Sequence, residues 1–577
     1  MKFSIRILST KKNLLRVKFT FTASSEITFL RIPYWRPGRY EEGKFPKNYI
    51  GLTATAEGMQ VASRKHDGYT YRVETPKGSE ITAEYTLYAA ELTAGNTYCD
   101  EEVLLLNPVN SLMWPEGREE DPFDLDLELP EEWDCATTFQ NRQPAVDAQM
   151  FRFQAKNLQE LLDTPILAAP DLHSYSYHAG GIPFHIHVSG YFPEDSGGII
   201  ADFKAFTEVQ LQAFGGFPAE EYRFLLLFLE AKARHGVEHE KSTVIVMGPS
   251  AHLESKDMYN SFLSIASHEL YHTWNVKYLR PADWTPYDFT GPSPSRLGYV
   301  AEGVTTYMGD LMLWQSGVFS DDEFLGALSG HLQRHMENEG RNNLSLADSS
   351  VDTWIDGYER TAPGRRQSIY TEGAMLAFVC DAMILDYSEG ERGLSDVMRE
   401  LYESCDPDKG YTEEEYWNAL KAAADKPWDA LYNAVADGRG ALEHFFTEAL
   451  TLAGLKLHVS EQTKEKETWW GTASVKTPRG LLVNYVARES PAEKCGLREG
   501  DVIETVNGVP SAEFRANTTE SVMRHSSVML EVRKGYKTRT CELQPDGKAH
   551  LVSYKIEANP SGKADIFRAW KNTFKKK

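Results

Sequence analysis

Along the first 170 residues, apolar positions recur at every second place. Leu15, Val17, Phe19 and Phe21 share one face of a segment whose other face carries Arg16, Lys18 and Thr20; Ile81, Ala83, Tyr85 and Leu87 repeat the pattern. This period, punctuated by turn signals such as "RPGR" and "TPKGS", predicts half-buried strands. Another strand is predicted at Ile182, Phe184, Ile186 and Val188, where the intervening His185 and His187 read as plain surface. From about residue 195 the spacing turns helical, with Ile199, Ile200, Phe203 and Phe206 in phase and Gly215-Gly216 as a stop signal. The run "YRFLLLFLEA" (222 to 231) is short and apolar, as a buried strand is, and helical patterns then dominate to about 455. Beyond lies a compact β-rich unit centred on residues 480 to 510, then a tail ending in "FKKK" that is expected to be loosely held.

Composition narrows the function classes. A chain of 577 residues has room for three or four domains, and 41% apolar with 12% aromatic residues supports real cores. The formal net charge of -23 excludes a nucleic-acid partner, which would need a basic face. No apolar run approaches the ~20 residues of a membrane span, and the N-terminus lacks a signal-peptide core. Six scattered cysteines form no CxxC. The expectation is a reduced, cytoplasmic protein.

The chemistry concentrates in "SIASHELYHTWNVKYLRP", residues 264 to 281. On a helix, His268 and His272 stand four apart on one face and can direct both imidazoles at one point. Two neutral imidazoles suit Zn²⁺, and Glu269 between them is placed to act as general base toward water. An HExxH match arises by chance in such a chain on the order of a few per cent of the time, so a third ligand is needed. Glu302, in "RLGYVAEGVTTYMGDLML", sits on a second helical stretch among Val300, Val304, Met308 and Leu311, where an acid is costly to bury unless paired or on a metal. Two histidines and one glutamate with an open fourth position form a catalytic rather than a structural zinc set.

These residues resemble the gluzincin metallopeptidases. Within that group "SHELYHTWNVKYLRP", "AEGVTTY" and "IYTEGAML" are similar to the glycyl aminopeptidase family, which carries a C-terminal PDZ domain. "RIPYWRPGRYEEGKFPKNYI" resembles its W-x-PG-x-Y segment, "RHGVEHEKST" its GGLEH strand, and "SPAEKCGLREGDVIETVNG" a PDZ core. The resemblance implies that Glu238, on an edge strand, pairs with the substrate's free α-amine, and that Gly236 and Val237 offer backbone groups to the peptide. It implies that Tyr370 donates a hydrogen bond to the developing oxyanion, and that a PDZ carboxylate loop lies at Arg479, Gly480 and Leu481. Two departures stand out: Glu372 replaces the family's lysine after the catalytic tyrosine, and "HGVEH" lacks one glycine of the strand motif.

The expected fold is multidomain α+β: an N-terminal β domain (1–170), a thermolysin-like, mostly α-helical catalytic domain (171–457), a PDZ domain (458–546) and a tail (547–577). The expected function is zinc-dependent removal of small N-terminal residues, glycine or alanine, from peptides with a free N-terminus, while the PDZ domain is open to a peptide ligand of its own. A zinc endopeptidase using the same site and a PDZ-centred binding protein with a vestigial site are the alternatives.

Overall fold

The alternation near the N-terminus places its apolar residues face to face across a ladder. In the computed structural model, which describes residues 1–141, 149–193, 196–356, 358–359, 361–362, 364–440, 442–462 and 466–574, Leu14–Thr22 runs antiparallel between Lys2–Ser9 and Glu80–Tyr88 within an eight-stranded sheet. The register pairs Leu15 with Leu87, Val17 with Tyr85, Phe19 with Ala83 and Phe21 with Ile81. Every one of these side chains is buried. Directly opposite pairs of this kind are the unit from which a sheet gains stability.

A second sheet carries the site. Its order is His173–Ala179, Ile182–Gly190, Tyr222–Phe228, Ser242–Gly248 and Ala233–Glu238, so the last-named strand lies at an edge. The predicted strand at 222 is its centre, with five consecutive buried residues from Phe224 to Phe228. Such a continuous apolar run is what parallel strands covered on both faces require. The helical dominance expected after 231 begins only past Ala233–Glu238, the edge strand the resemblance implies, and Ser242–Gly248, which no sequence pattern announced. The predicted helix runs from Gly197 to Phe214 and ends on Gly215 at φ 75°, a left-handed C-cap that glycine adopts without strain.

The chain forms two compact units. The first comprises residues 1–324, 339–454 and 563–577. Within it Trp35 and Tyr40 share an apolar cluster with Trp284, Phe289, Ala301 and Ile369, so the N-terminal sheets and the helical region have a common core. The tail is not loosely held: Trp570, in the helix Ala564–Lys571, is 1% exposed and packs edge-on against Trp314 at 4.8 Å. Residues 575–577 of the expected frayed end lie outside the described residues.

The second unit comprises residues 325–338 and 455–562. Its sheet runs Thr472–Thr477, Gly480–Val486, Val502–Val506, Val528–Lys534 and Lys537–Leu543, with Val509–Pro510 alongside. Leu481, Val483, Ile503 and Val532 fill its core. Among the described residues, no helix is long and apolar enough to cross a membrane.

Candidate active site

The helix Lys256–Tyr271 begins at Ser255, whose side chain accepts from the Met258 N–H, and buries Phe262, Ile265, Ala266 and Leu270. Anchored on that face, it delivers His268 and His272 to one point, with their Nε2 atoms 2.9 Å apart. After His272 the helix widens, and Asn275 leaves helical geometry (φ −105°, ψ 79°). That break turns the Asn275 carbonyl back to accept from His272 Nδ1 at 2.8 Å. With Nδ1 donating, the Nε2 lone pair is left to face the site, the tautomer a metal ligand needs.

Glu302 arrives from the wide turn Tyr299–Val304 that leads into the helix Thr305–Ser316. Its Oε2 lies 3.6 Å from His268 Nε2 and 3.4 Å from His272 Nε2. Its Oε1 accepts from Tyr40 Oη at 2.7 Å, and the Tyr40 ring stacks on Trp284 at 4.7 Å. Tyr40 belongs to the "WRPGRY" segment, so the N-terminal region orients the third candidate ligand, a role that sequence reading missed. Donors ~2.1 Å from a tetrahedral ion stand roughly 3.4 Å apart. The three atoms stand 2.9, 3.4 and 3.6 Å apart, which brackets that spacing, and the donor set suits Zn²⁺.

Electrostatics agree. Burial disfavours a proton on His268, assisted by the neighbouring His272, and holds it down to about 4. Burial opposes a charge on His272 too, but the Glu302 carboxylate outweighs it and moves His272 up to about 9. Glu302 stays ionised because the facing imidazoles overcome its own burial. A proton kept on His272 by the facing carboxylate is the one a divalent ion would displace, since an imidazole must be neutral at the nitrogen that ligates.

Glu269 is 5% exposed, and its Oε2 has no hydrogen-bond partner among the described residues. Burial lifts its carboxyl well above the usual range, with His272 opposing, as suits a base working near neutrality. It leans on the edge strand: a Cβ at Gly236 would stand 2.2 Å from Glu269 Oε1. Two residues on, Glu238 is 3% exposed with Oε1 unpartnered among the described residues. A ligand atom of Glu238 lies within 4.8 Å of those of Glu269 and His272.

The edge strand corrects one assignment. The His239 N–H donates to Ser242 O, so the hydrogen-bonded pairs of this antiparallel ladder are Val237–Val244 and His235–Val246. The outward backbone groups therefore belong to Arg234, Gly236 and Glu238. Val237 cannot serve substrate, since its carbonyl also accepts from Thr243 Oγ1 and its side chain sits in an apolar cluster.

Tyr370 caps the helix Thr371–Tyr387, its ring centroid 6.5 Å from that of His268. Burial, with Glu302 nearby, raises its phenol well above 10, so it remains a donor. The helix comes this close because Gly303 and Gly373 meet back to back: a Cβ on Gly303 would fall 2.3 Å from Gly373 Cα. Glu372 has no exposed surface, so the departure from the family's lysine does not line an open cleft.

Two expectations fail outside the site. Arg479, Gly480 and Leu481 do not form an open amide loop; they close the hairpin between Thr472–Thr477 and Gly480–Val486. Leu481 N–H is taken by Ser511 Oγ, and a Cβ on Gly480 would meet Ile503 O at 2.2 Å. The edges of this sheet are Thr472–Thr477 and Lys537–Leu543. His187 is not surface: it is buried and hydrogen-bonded to Ser174 and Arg223, and no described metal-ligand cluster includes it.

Three stretches match family models: residues 2–170 the Peptidase M61 N-terminal domain, 261–376 the M61 glycyl aminopeptidase, and 482–534 a PDZ domain. An aminopeptidase N family protein from Idiomarina loihiensis superposes with a TM-score of 0.90 at 25% identity, covering 99% of each chain. An M1 zinc metallopeptidase from Deinococcus radiodurans gives 0.47 at 12% identity over 76% of this chain and 93% of that one. Serine protease HTRA3 from Mus musculus is 41% identical over 56 residues, 10% of this chain. That match covers 12% of HTRA3, so the chain spans about an eighth of the length of that curated relative.

Proposed function

This chain belongs to the M61 glycyl aminopeptidase family, and from that premise we propose that it is a zinc aminopeptidase removing small N-terminal residues from peptides. The observation that carries this reading is a buried, unpartnered carboxylate oxygen on Glu238 beside the convergence of His268, His272 and Glu302. A peptide α-ammonium is the complementary group, and pairing it there fixes which bond reaches Glu269.

His268, His272 and Glu302 would hold the metal, which supplies a Lewis acid that polarises the scissile carbonyl and acidifies water. Glu269 takes the proton of the attacking water on its carboxylate and passes it to the departing amine. Tyr370 Oη donates to the oxygen that gains charge. Glu238 holds the amine, and the outward N–H and C=O of Gly236 align the peptide along the strand edge. The family's description supports glycine as the first residue, and alanine is the next smallest side chain. The PDZ unit offers the edge strand Thr472–Thr477 to a second peptide.

The test is hydrolysis of alanyl and glycyl amides with free or acetylated amines, before and after chelation. Cleavage of the free-amine forms alone, lost on chelation and restored by zinc, is expected. Cleavage of the acetylated forms would make the protein an endopeptidase. Chelator-insensitive turnover would remove the metal from the reaction.

A further inference from the structure

The edge strand carries one more residue on its substrate face. Side chains alternate along a strand, so Arg234 shares the face of Gly236 and Glu238. Its placement agrees: Arg234 Nε donates to Ser261 Oγ at 2.8 Å, on the helix that bears His268, Glu269 and His272. Arg234 is exposed, its two Nη groups make no hydrogen bond among the described residues, and it forms no close ion pair there, its charge being felt only at longer range by Glu269. In a chain with 84 acidic and 61 basic side chains, a guanidinium without a close ion pair beside the active site needs a reason.

The order of groups along the strand supplies one. The amine anchor is Glu238, and Glu269 rests against Gly236. A peptide bound by its amine at Glu238 therefore presents its first carbonyl near Gly236, and its leaving portion continues toward Arg234. Gly236 and Arg234 are two residues apart, roughly 6.7 Å along a strand. In a tripeptide, the terminal carboxylate lies two residues beyond the scissile carbonyl, about the same distance. Arg234 stands where that carboxylate arrives, with its forked Nη donors free for bidentate pairing.

We infer that Arg234 is the receptor for the C-terminal carboxylate of short peptides, which makes tripeptides with a free carboxylate the preferred substrate class. The inference rests on the aminopeptidase reading, and the test separates the two. Trialanine and trialanine amide are compared by kcat/KM on the zinc-loaded full-length protein, its Arg234→Gln variant and its Arg234→Lys variant. The acid is expected to exceed the amide by on the order of 10- to 100-fold in the unmodified protein, the worth of a charge-assisted hydrogen-bond pair. The acid-to-amide ratio should fall to about one in Arg234→Gln and recover in part in Arg234→Lys, since lysine keeps the charge but not the fork. Equal rates on acid and amide in the unmodified protein would overturn the inference while leaving the aminopeptidase intact. A ratio that survives Arg234→Gln would assign the carboxylate to another group. Failure to cleave either peptide would overturn both.

Discussion

The contact between Gly236 and Glu269 gives a prediction in which activity and stability separate. In Gly236→Ala the new methyl would stand 2.2 Å from Glu269 Oε1, 2.6 Å from Cδ and 2.8 Å from Cγ. Carbon and oxygen need roughly 3.2 Å, so the carboxylate must withdraw by about 1 Å. The backbone at 236 is not in the left-handed region, so alanine adds no backbone strain. The obstructing atoms are the end of a flexible side chain, so stability should change by less than about 1 kcal/mol. Catalysis has no such freedom: a 1 Å misplacement costs on the order of 100-fold, about 2.7 kcal/mol of transition-state stabilisation. The assay is kcat/KM on an alanyl substrate, with zinc content and thermal midpoint measured on the same preparation. Because the methyl acts through Glu269, it should add little in a Glu269→Gln background, where the base is already lost. Turnover of Gly236→Ala within threefold of the unmodified protein, or full additivity with Glu269→Gln, would refute the reasoning.

Two further predictions address the supports of the site and of the fold. Tyr40→Phe removes the 2.7 Å hydrogen bond to Glu302 Oε1 and should weaken zinc binding by about 10- to 100-fold in competition with a chelating dye; unchanged affinity would leave Tyr40 a packing residue. Asp381 accepts from Tyr307 Oη, Trp570 Nε1 and Leu394 N–H at 2.5, 3.0 and 2.7 Å, yet burial pushes its carboxyl up to about 6. A folded-state pKa above the unfolded one means a stabilising contribution that is full below about 4 and lost as pH rises through about 6. Urea unfolding should therefore show the free-energy gap between the unmodified protein and Asp381→Asn shifting by on the order of 1–2 kcal/mol between pH 4.5 and pH 7, the unmodified protein gaining toward acid. Parallel pH profiles would remove Asp381 as the source.

Local chemistry determined a good part of this protein in advance. Period-two alternation in 14–22 and 80–88 is a property of a half-buried strand, and both segments form one ladder in matching register. The i, i+4 spacing of His268 and His272 follows from helical geometry alone, so the pair was legible, as was an acid in apolar company at Glu302. Arg479–Leu481 was misread because glycine-bearing turns look alike in sequence; only the packed structure shows that the Leu481 N–H is already bonded to the Ser511 hydroxyl. His187 was misread because strand alternation says which side a residue faces, not whether that side is covered.

Tertiary structure alone decided the rest, because it depends on contacts between residues far apart in sequence. Nothing local couples Tyr40 to Glu302, 262 residues away, or brings Gly303 against Gly373 so that Tyr370 can stand over His268. Trp570 was read as part of a loose tail, although its partners Trp314 and Asp381 lie in the first unit's core. The parity of the ladder at Glu238 is set by pairing with Ser242–Gly248, and that parity turns Gly236 toward Glu269 and Val237 into an apolar cluster. Sequence determined which groups could do chemistry, since ionisable and ligating side chains declare themselves by type and spacing. The fold decided which of them meet, because burial, register and close approach exist only once distant segments pack.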